Sequence, residues 1–416
     1  MRLYLSLYPT VVCLFLSLAA AQTPRAELTG FSVLPADTFA AGPPSGQFDD
    51  QGVRAAGPRF PGQPVQGFSG VQFGFSCGTY HTLSDNGFGA KYNSPDYRLR
   101  LYQLTPNFET AGGGEGTVQV EGFISLRDPN RHLPFLIAND ATGQRQLTGS
   151  DLDPESFVVA EDGSFWVGEE FGPFLLHFGA QGRLLEPPYP TPNPGAEDPV
   201  MSPQNPAMLA AAPQPGATSN ATLPTSRGFE AMATNPAKTV LHPMLEGTVV
   251  GDPEGTLRIY TFDLASKKYQ NRVVYYNLEN PDHAIGDMAV VNETEYLVIE
   301  RDGNSGAEAQ FKKIYKIDLS QTNPRGVVAK EEVVDLLNIA NPNRLGGFGA
   351  TFRFPFVTIE DVLVLDATTI LVMNDNNYDG TGGRGEGVKD PNEVIRLRLA
   401  EPLAVAPGVG RPTACR

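Results

Sequence analysis

Cysteine and histidine are scarce: the 416 residues hold 3 cysteines, 5 histidines and a single tryptophan. No H-x-x-x-H or paired C-x-x-C spacing occurs, so zinc sites built on those patterns are excluded. There is no G-x-S-x-G nucleophile elbow and no Walker A loop. Apart from the N-terminus, no stretch approaches the roughly 20 apolar residues that a membrane-spanning helix needs. Basic residues are also in deficit. With 31 Lys+Arg against 47 Asp+Glu the formal charge is −16, which argues against binding nucleic acid or another polyanion by long-range attraction.

At the N-terminus Arg2 precedes the apolar stretch "LYLSLYPTVVCLFLSLAA", and Ala19–Ala21 offer an A-x-A cleavage site. This pattern reads as an export signal over 1–21, which places a mature domain of 22–416 in a secreted or periplasmic setting. Cys13 falls within the signal, leaving Cys77 and Cys415 as one intramolecular pairing or as two free thiols. The 44 glycines and 36 prolines predict many turns and short strands rather than long helices. The Pro/Gly-rich stretches 40–64 and 186–220 read as surface loops, and "DGTGGRGEG" (379–387) reads as a flexible loop.

The most informative feature is a repeat. "FWVGEEFGPFLLHF" (165–178) ends an apolar strand on the paired acids Glu169 and Glu170, and related arrangements recur. Units of two apolar strands joined by a turn occupy 67–87, 153–172, 227–247, 284–303 and 358–377. Alignment on the first strand puts Ser69, Glu155, Glu230, Gly286 and Glu360 in one column, followed by Gly70, Ser156, Ala231, Asp287 and Asp361. About 14 residues on, a second polar column runs through Ser84-Asp85-Asn86, Glu169-Glu170, Glu300-Arg301-Asp302 and Asn374-Asp375-Asn376. The third copy fills it only roughly, with Glu246. Alternating segments at 97–104, 257–264, 312–319 and 393–400 supply third strands, and "PFLLHFGAQGRLLE" fills that slot in the second copy.

Fourth strands follow at 116–126, 272–278 and 327–337. The last copy lacks one, which 26–39 at the start of the mature chain can supply. Three- to four-stranded antiparallel units repeated in this way predict an all-β fold, a β-propeller of five or six blades. The visible copies lie near 67–126, 153–185, 227–278, 284–337 and 358–400. In such a fold the polar columns converge on one mouth of the central channel. Glu155, Glu230, Asp287, Asp302, Glu360, Asn374 and Asp375 are then candidate ligands for a divalent cation, and hard oxygen donors suit Ca²⁺. Glu169, Glu170 and Glu300 are candidate general bases beside it, and Arg227 and Arg301 candidate stabilisers of negative charge. The alternative for these positions is ordinary: strand-end acids and amides make Asx turns and remain solvated, and the arginines form structural ion pairs. His81 and His283 lie near the predicted funnel. His132, His177 and His242 have no evident place in it.

"LTGFSVLPADTF", "DPESFVVAEDGSFWVGEEFGPFLLHF", "RGFEAMA", "IGDMAVVNETEYLVIERD" and "IEDVLVLDATTILVMNDNN" resemble the phytase-like, esterase-like domain family of exported proteins. The resemblance implies a secreted propeller-like hydrolase of small phosphate or carboxylic esters, expected as a monomer. "DLDPES" (151–156) only partly matches the first motif of the calcium-dependent β-propeller phytases, so Asp151 and Asp153 carry over as acidic-site residues and no more. Two other readings stay open: a non-catalytic binding module with structural calcium, and a lactonase.

Overall fold

The computed structural model describes residues 23–206 and 221–410. The proposed signal segment and Cys415 lie outside them; Cys77 is disulfide-bonded. The described chain is all-β, with helix confined to short pieces such as the 3₁₀ turn Leu345–Gly347. No described helix is long and apolar enough to cross a membrane.

One motif organises the strands, an antiparallel meander. The first comprises Phe68–Phe73, Tyr80–Ser84, Arg100–Asn107 and Thr117–Ser125. The second comprises Pro154–Val159, Phe165–Glu169, Phe174–Phe178 and the short Tyr189–Pro190. The third begins with Ala231–Thr234 and Val240–Met244; its outer strands are each broken in two, Thr256–Ile259 with Phe262–Asp263, and Val274–Asn277 with Lys268–Tyr269. The fourth runs Ala284–Val290, Glu295–Arg301, Lys312–Thr322 and Val328–Asp335. The last contains Asp361–Asp366, Thr369–Met373 and Asn392–Leu399, and its outer strand is Ala26–Leu34 from the other end of the chain. That strand pairs antiparallel with Asn392–Leu399 from Ala26↔Leu399 to Leu34↔Asn392, so the N-terminal segment completes the meander as its sequence suggested.

Because side chains alternate across a strand, each meander buries apolar residues on both faces. Phe157 and Val167 pack toward the first meander, with Leu83 and Leu101. Their neighbours Val158 and Trp166 pack toward the third, with Phe229 and Phe262. A third core joins Met244 to Tyr296 and Val298, and a fourth joins Leu297 and Ile299 to Val362 and Ile370. The fifth returns to the start, setting Leu363 and Leu371 against Phe68 and Tyr102. Each fully buried large apolar side chain contributes about 1.5–3 kcal/mol, and this succession of cores leaves no meander with a bare face. The first strands accordingly touch one another in a closed cycle around the centre. Their backbones come close: a Cβ on Gly286 would lie 2.0 Å from the Ile359 carbonyl oxygen, so no side chain is tolerated there.

The loop at 379–387 is tied down rather than loose. Gly383 N–H donates to Asp390 Oδ1 at 2.8 Å, and the Arg384 guanidinium pairs with Glu393 while lying over the Phe348 ring.

Candidate functional site

The two polar columns meet because each first and second strand form a hairpin whose open end faces the centre. Pro154 pairs with Glu169, Ala284 with Arg301, Phe68 with Ser84, and Asp361 with Met373. Strand starts and strand ends are thereby adjacent. In three first strands the register shifts at the column itself, between Phe68 and Val71, Pro154 and Ser156, and Ile285 and Met288. A bulge of this kind re-aims the intervening side chain, here Ser69, Glu155 and the Gly286-Asp287 pair.

Six carboxylates converge. Oxygens of Asp153, Glu155 and Glu170 lie within 4.8 Å of one another, as do those of Glu170, Glu230 and Glu246, and those of Glu155, Glu230 and Glu360, which adds a sixth acid. All six side chains are buried. Arg301 enters the same space, with Nη2 2.9 Å from Glu360 Oε1 and 3.7 Å from Glu230 Oε1 and from Glu246 Oε1. The fourth meander, barred by Gly286 from contributing an acid in the first column, thus supplies a cation from its second strand. One arginine does not balance six acids. Burial, reinforced by the neighbouring carboxylates, pushes Glu155, Glu170 and Glu230 well above the usual carboxylate range. Glu360 rises to about 8, chiefly by burial and against the pull of Arg301. Glu170 Oε1 is buried with no hydrogen-bond partner, a costly state for a carboxylate oxygen unless a proton or cation meets it, and Glu230 Oε1 has only the Arg301 guanidinium at 3.7 Å, beyond hydrogen-bond distance. Six acids offering only oxygen atoms form a donor set that fits a hard divalent cation.

The rim is basic. Arg227, 43% exposed, reaches Glu246 at 3.4 Å. Lys91 donates to the Ser150 carbonyl at 2.6 Å beneath the Phe171 ring, and its burial lowers its pKa despite Asp151, Glu169 and Asp153 nearby. Asp153 is held in place by the backbone and side-chain amides of Asn86, at 3.1 and 2.6 Å.

Among the sequence candidates the structure separates neighbours. Glu155, Glu170, Glu230, Glu360 and Arg301 come together. Asp375 lies at the edge, accepting from Gly67 N–H at 3.0 Å and Asn377 N–H at 2.8 Å, with its pKa raised by burial to about 6. Arg227 sits on the rim. The others are turned elsewhere. Both oxygens of Glu169 accept backbone N–H groups, from Phe171 at 2.9 Å and Gly172 at 2.7 Å. Glu300 accepts from the Tyr276 hydroxyl, Glu279 N–H, His283 Nδ1 and Lys330 Nζ, at 2.7, 2.7, 3.0 and 2.6 Å. Asp302 binds Lys312 at 2.9 Å and caps the Gln310 and Phe311 amides. Asp287 spends both oxygens on backbone amides, Met288 at 2.7 Å and Val362 at 2.9 Å. Asn374 accepts from Glu393 N–H at 2.8 Å and donates to the Asp375 and Pro391 carbonyls. His283 serves Glu300, and His81 faces Gln103 at 3.4 Å, so neither histidine joins the acids.

The sequence alignment underweighted Glu246 and Asp153. A hydrogen-bond rule would have promoted Glu246. Glu170 N–H donates to the Asp153 carbonyl, Glu246 N–H to that of Gly228, and Asp85 N–H to that of Gly67. Each acceptor lies two residues before the first column, which sets Asp85, Glu170 and Glu246 level in the second column, and Arg301 pairs with Ala284 at the same offset in the fourth meander.

A family model described as phytase-like, "esterase-like activity of phytase", matches residues 63–378. An uncharacterized secreted protein of Arthroderma benhamiae is 23% identical over 197 residues, covering 40% of this chain and 37% of its own length. The chain thus spans well under half of that relative. Similar solved structures include an exo-β-1,3-galactanase from Phanerochaete chrysosporium, 10% identical with a TM-score of 0.40, covering 93% of this chain and 69% of that one. A periplasmic gluconolactonase from Pseudomonas aeruginosa is 12% identical with a TM-score of 0.34, covering 91% of this chain and all of its own. The family match extends over most of the chain, which belongs to the phytase-like family.

Proposed function

We propose that this phytase-like protein is an exported hydrolase of phosphate or carboxylic esters that depends on a divalent cation, with Ca²⁺ the ion its donors suit best. The observation that carries the reading is the buried, unpartnered oxygen Glu170 Oε1 inside a cluster of carboxylates from three different meanders. Asp153, Glu155, Glu170, Glu230 and Glu246 would hold the ion. A bound cation of this kind polarises the substrate's ester oxygen and lowers the pKa of water.

The remaining work falls to the chain. Arg301 is engaged by Glu360 and offsets part of the negative charge, which keeps the cluster compact. Arg227 is exposed enough to meet an anionic group of the substrate and orient it. Glu169 and Glu300 already have full sets of donors, so neither is placed to accept a proton. We read the closed cycle of meanders as a five-bladed propeller formed by one domain over 22–416. The relative described as secreted supports export; we take 1–21 to be removed, on the N-terminal pattern alone, and the protein to act as a monomer.

A binding module with a structural cation, or a lactonase, would use the same cluster. The purified mature protein should be assayed on a phosphomonoester, phytate, a short-chain carboxylic ester and a lactone, with Ca²⁺ and with excess chelator. Calcium-dependent turnover of one class identifies the reaction. Absence of turnover on all four, with a calcium-dependent rise in Tm, leaves the binding module.

A further inference from the structure

Far out on the second meander, away from the acids, three side chains stand in an order that no sequence motif announces. Ser164 is the last residue of the turn before the strand Phe165–Glu169. His177 lies on the next strand, opposite Trp166 in the register. Glu186 follows that strand, where Leu185 N–H donates to the His177 carbonyl at 2.9 Å. The Ser164 hydroxyl oxygen is 3.0 Å from His177 Nε2, and His177 Nδ1 is 2.8 Å from Glu186 Oε1. Serine on Nε2 and carboxylate on Nδ1 is the polarity that makes imidazole a base toward a hydroxyl, because the carboxylate holds the proton on Nδ1 and leaves Nε2 as the acceptor.

The imidazole is fixed in place. It stacks on Trp166 with centroids 4.2 Å apart and planes 6° from parallel, and Lys267 Nζ lies 2.6 Å from Glu186 Oε1. Ser164 is buried, but the turn above it is open: Glu161 and Asp162 are exposed, and a Cβ on Gly163 would meet nothing nearer than Ala180 Cβ at 3.9 Å. One competitor is present. Asp162 Oδ1 accepts from the same serine hydroxyl at 2.5 Å and from Ser164 N–H at 3.0 Å.

We infer that Ser164, His177 and Glu186 form a second reactive centre, a serine nucleophile for activated carboxylic esters with small acyl groups, independent of any cation. Ser164 Oγ attacks the carbonyl carbon while its proton passes to His177 Nε2. The bond from carbon to the leaving alkoxide breaks, and the alkoxide takes that proton from His177. Water then attacks the acyl-serine, giving its proton to Nε2, from which it returns to Oγ as the carboxylic acid departs. Glu186 acts as a positioning residue.

The test is covalent labelling of the full-length protein by a fluorophosphonate, with and without chelator, mapped by peptide mass spectrometry. The expected result is one adduct on Ser164 that chelator does not affect. Assayed well below each variant's own Tm, His177→Gln should slow labelling by about 100-fold, and Glu186→Gln should slow it less. Asp162→Ala should speed it by removing the competing acceptor, and adduct formation in that variant alone still supports the centre. No adduct on Ser164 in either the wild type or Asp162→Ala overturns the proposal, as does an equal rate in His177→Gln. Glu170→Gln separates this centre from the acid cluster: it should lower calcium-dependent turnover by about 100-fold or more and leave labelling intact.

Discussion

Glu169 and Glu170 are adjacent, equally acidic and both buried, yet their surroundings are opposite. Glu169 closes a turn, with each oxygen on a backbone amide. Glu170 points into the acid cluster and has an oxygen with no partner. The same division recurs between Glu300 and Arg301 and between Asn374 and Asp375. The first of each pair is absorbed into a hydrogen-bond network, and the second faces the centre or its edge. A strand end one residue longer or shorter exchanges the two roles, because the side-chain period is two. Burial therefore does not identify a site residue here. Between Glu169 and Glu170 it is the supply of hydrogen-bond donors that draws the distinction.

The comparison breaks most visibly at Glu300. Glu300→Ala strips Lys330, His283 and Tyr276 of their common acceptor and should cost about 3–5 kcal/mol of stability, as for a buried pair that loses one member. Denaturant unfolding measures this, and calcium affinity should change little. Glu170→Gln should do the reverse, lowering calcium-dependent turnover by about 100-fold or more, since even residues behind a metal's ligands matter 10–100-fold, while stability without calcium is kept or raised. A large loss of stability in Glu170→Gln with calcium affinity intact would place Glu170 with Glu169.

Calcium at about 100 times its Kd should add about 2.7 kcal/mol to the stability of the folded state, and chelator should remove it. The pH dependence sharpens the point. In the metal-free protein the Glu360 pKa of about 8 lies above its ordinary 4.5, so the folded state holds more protons than the unfolded chain between those values. Stability from this group is thus complete below about 4.5 and falls as pH rises toward 8. Thermal melts in chelator should show that decline, and saturating calcium, whose positive charge beside Glu360 favours its ionised form, should flatten it. The smallest effect is expected at Arg227. Its half-exposed pair with Glu246 contributes at most about 1 kcal/mol, so Arg227→Ala should leave Tm nearly unchanged and raise KM several-fold for an anionic ester only.

Much of this architecture was legible from local pattern. The repeat, the alternating third strands and the unpaired last copy pointed to meanders completed by Ala26–Leu34, because period-two burial and strand pairing leave direct marks in a sequence. The first column was legible too, in Glu155, Glu230 and Glu360. The second column was legible only to within one residue. Alignment left Glu169-Glu170, Glu300-Arg301-Asp302 and Asn374-Asp375-Asn376 undivided, and the structure turns Glu170 and Arg301 to the centre and sets Asp375 at its edge. Glu246 was undervalued because the second strand of its copy reads poorly, although its backbone makes the same bond as Glu170. Ser164, His177 and Glu186 carried no signal, since no fixed spacing is needed when a turn and a strand bring them together.

By itself, then, the sequence determined composition, strand pattern and repeat, and with them an all-β chain carrying acids at the ends of its hairpins. Only the tertiary structure decided which acids meet. Bulges, register and the approach of Gly286 to its neighbour's backbone set each side chain's direction, and the supply of backbone amides decided which carboxylates are already satisfied. Those are properties of chains packed against one another, and a linear spacing does not contain them.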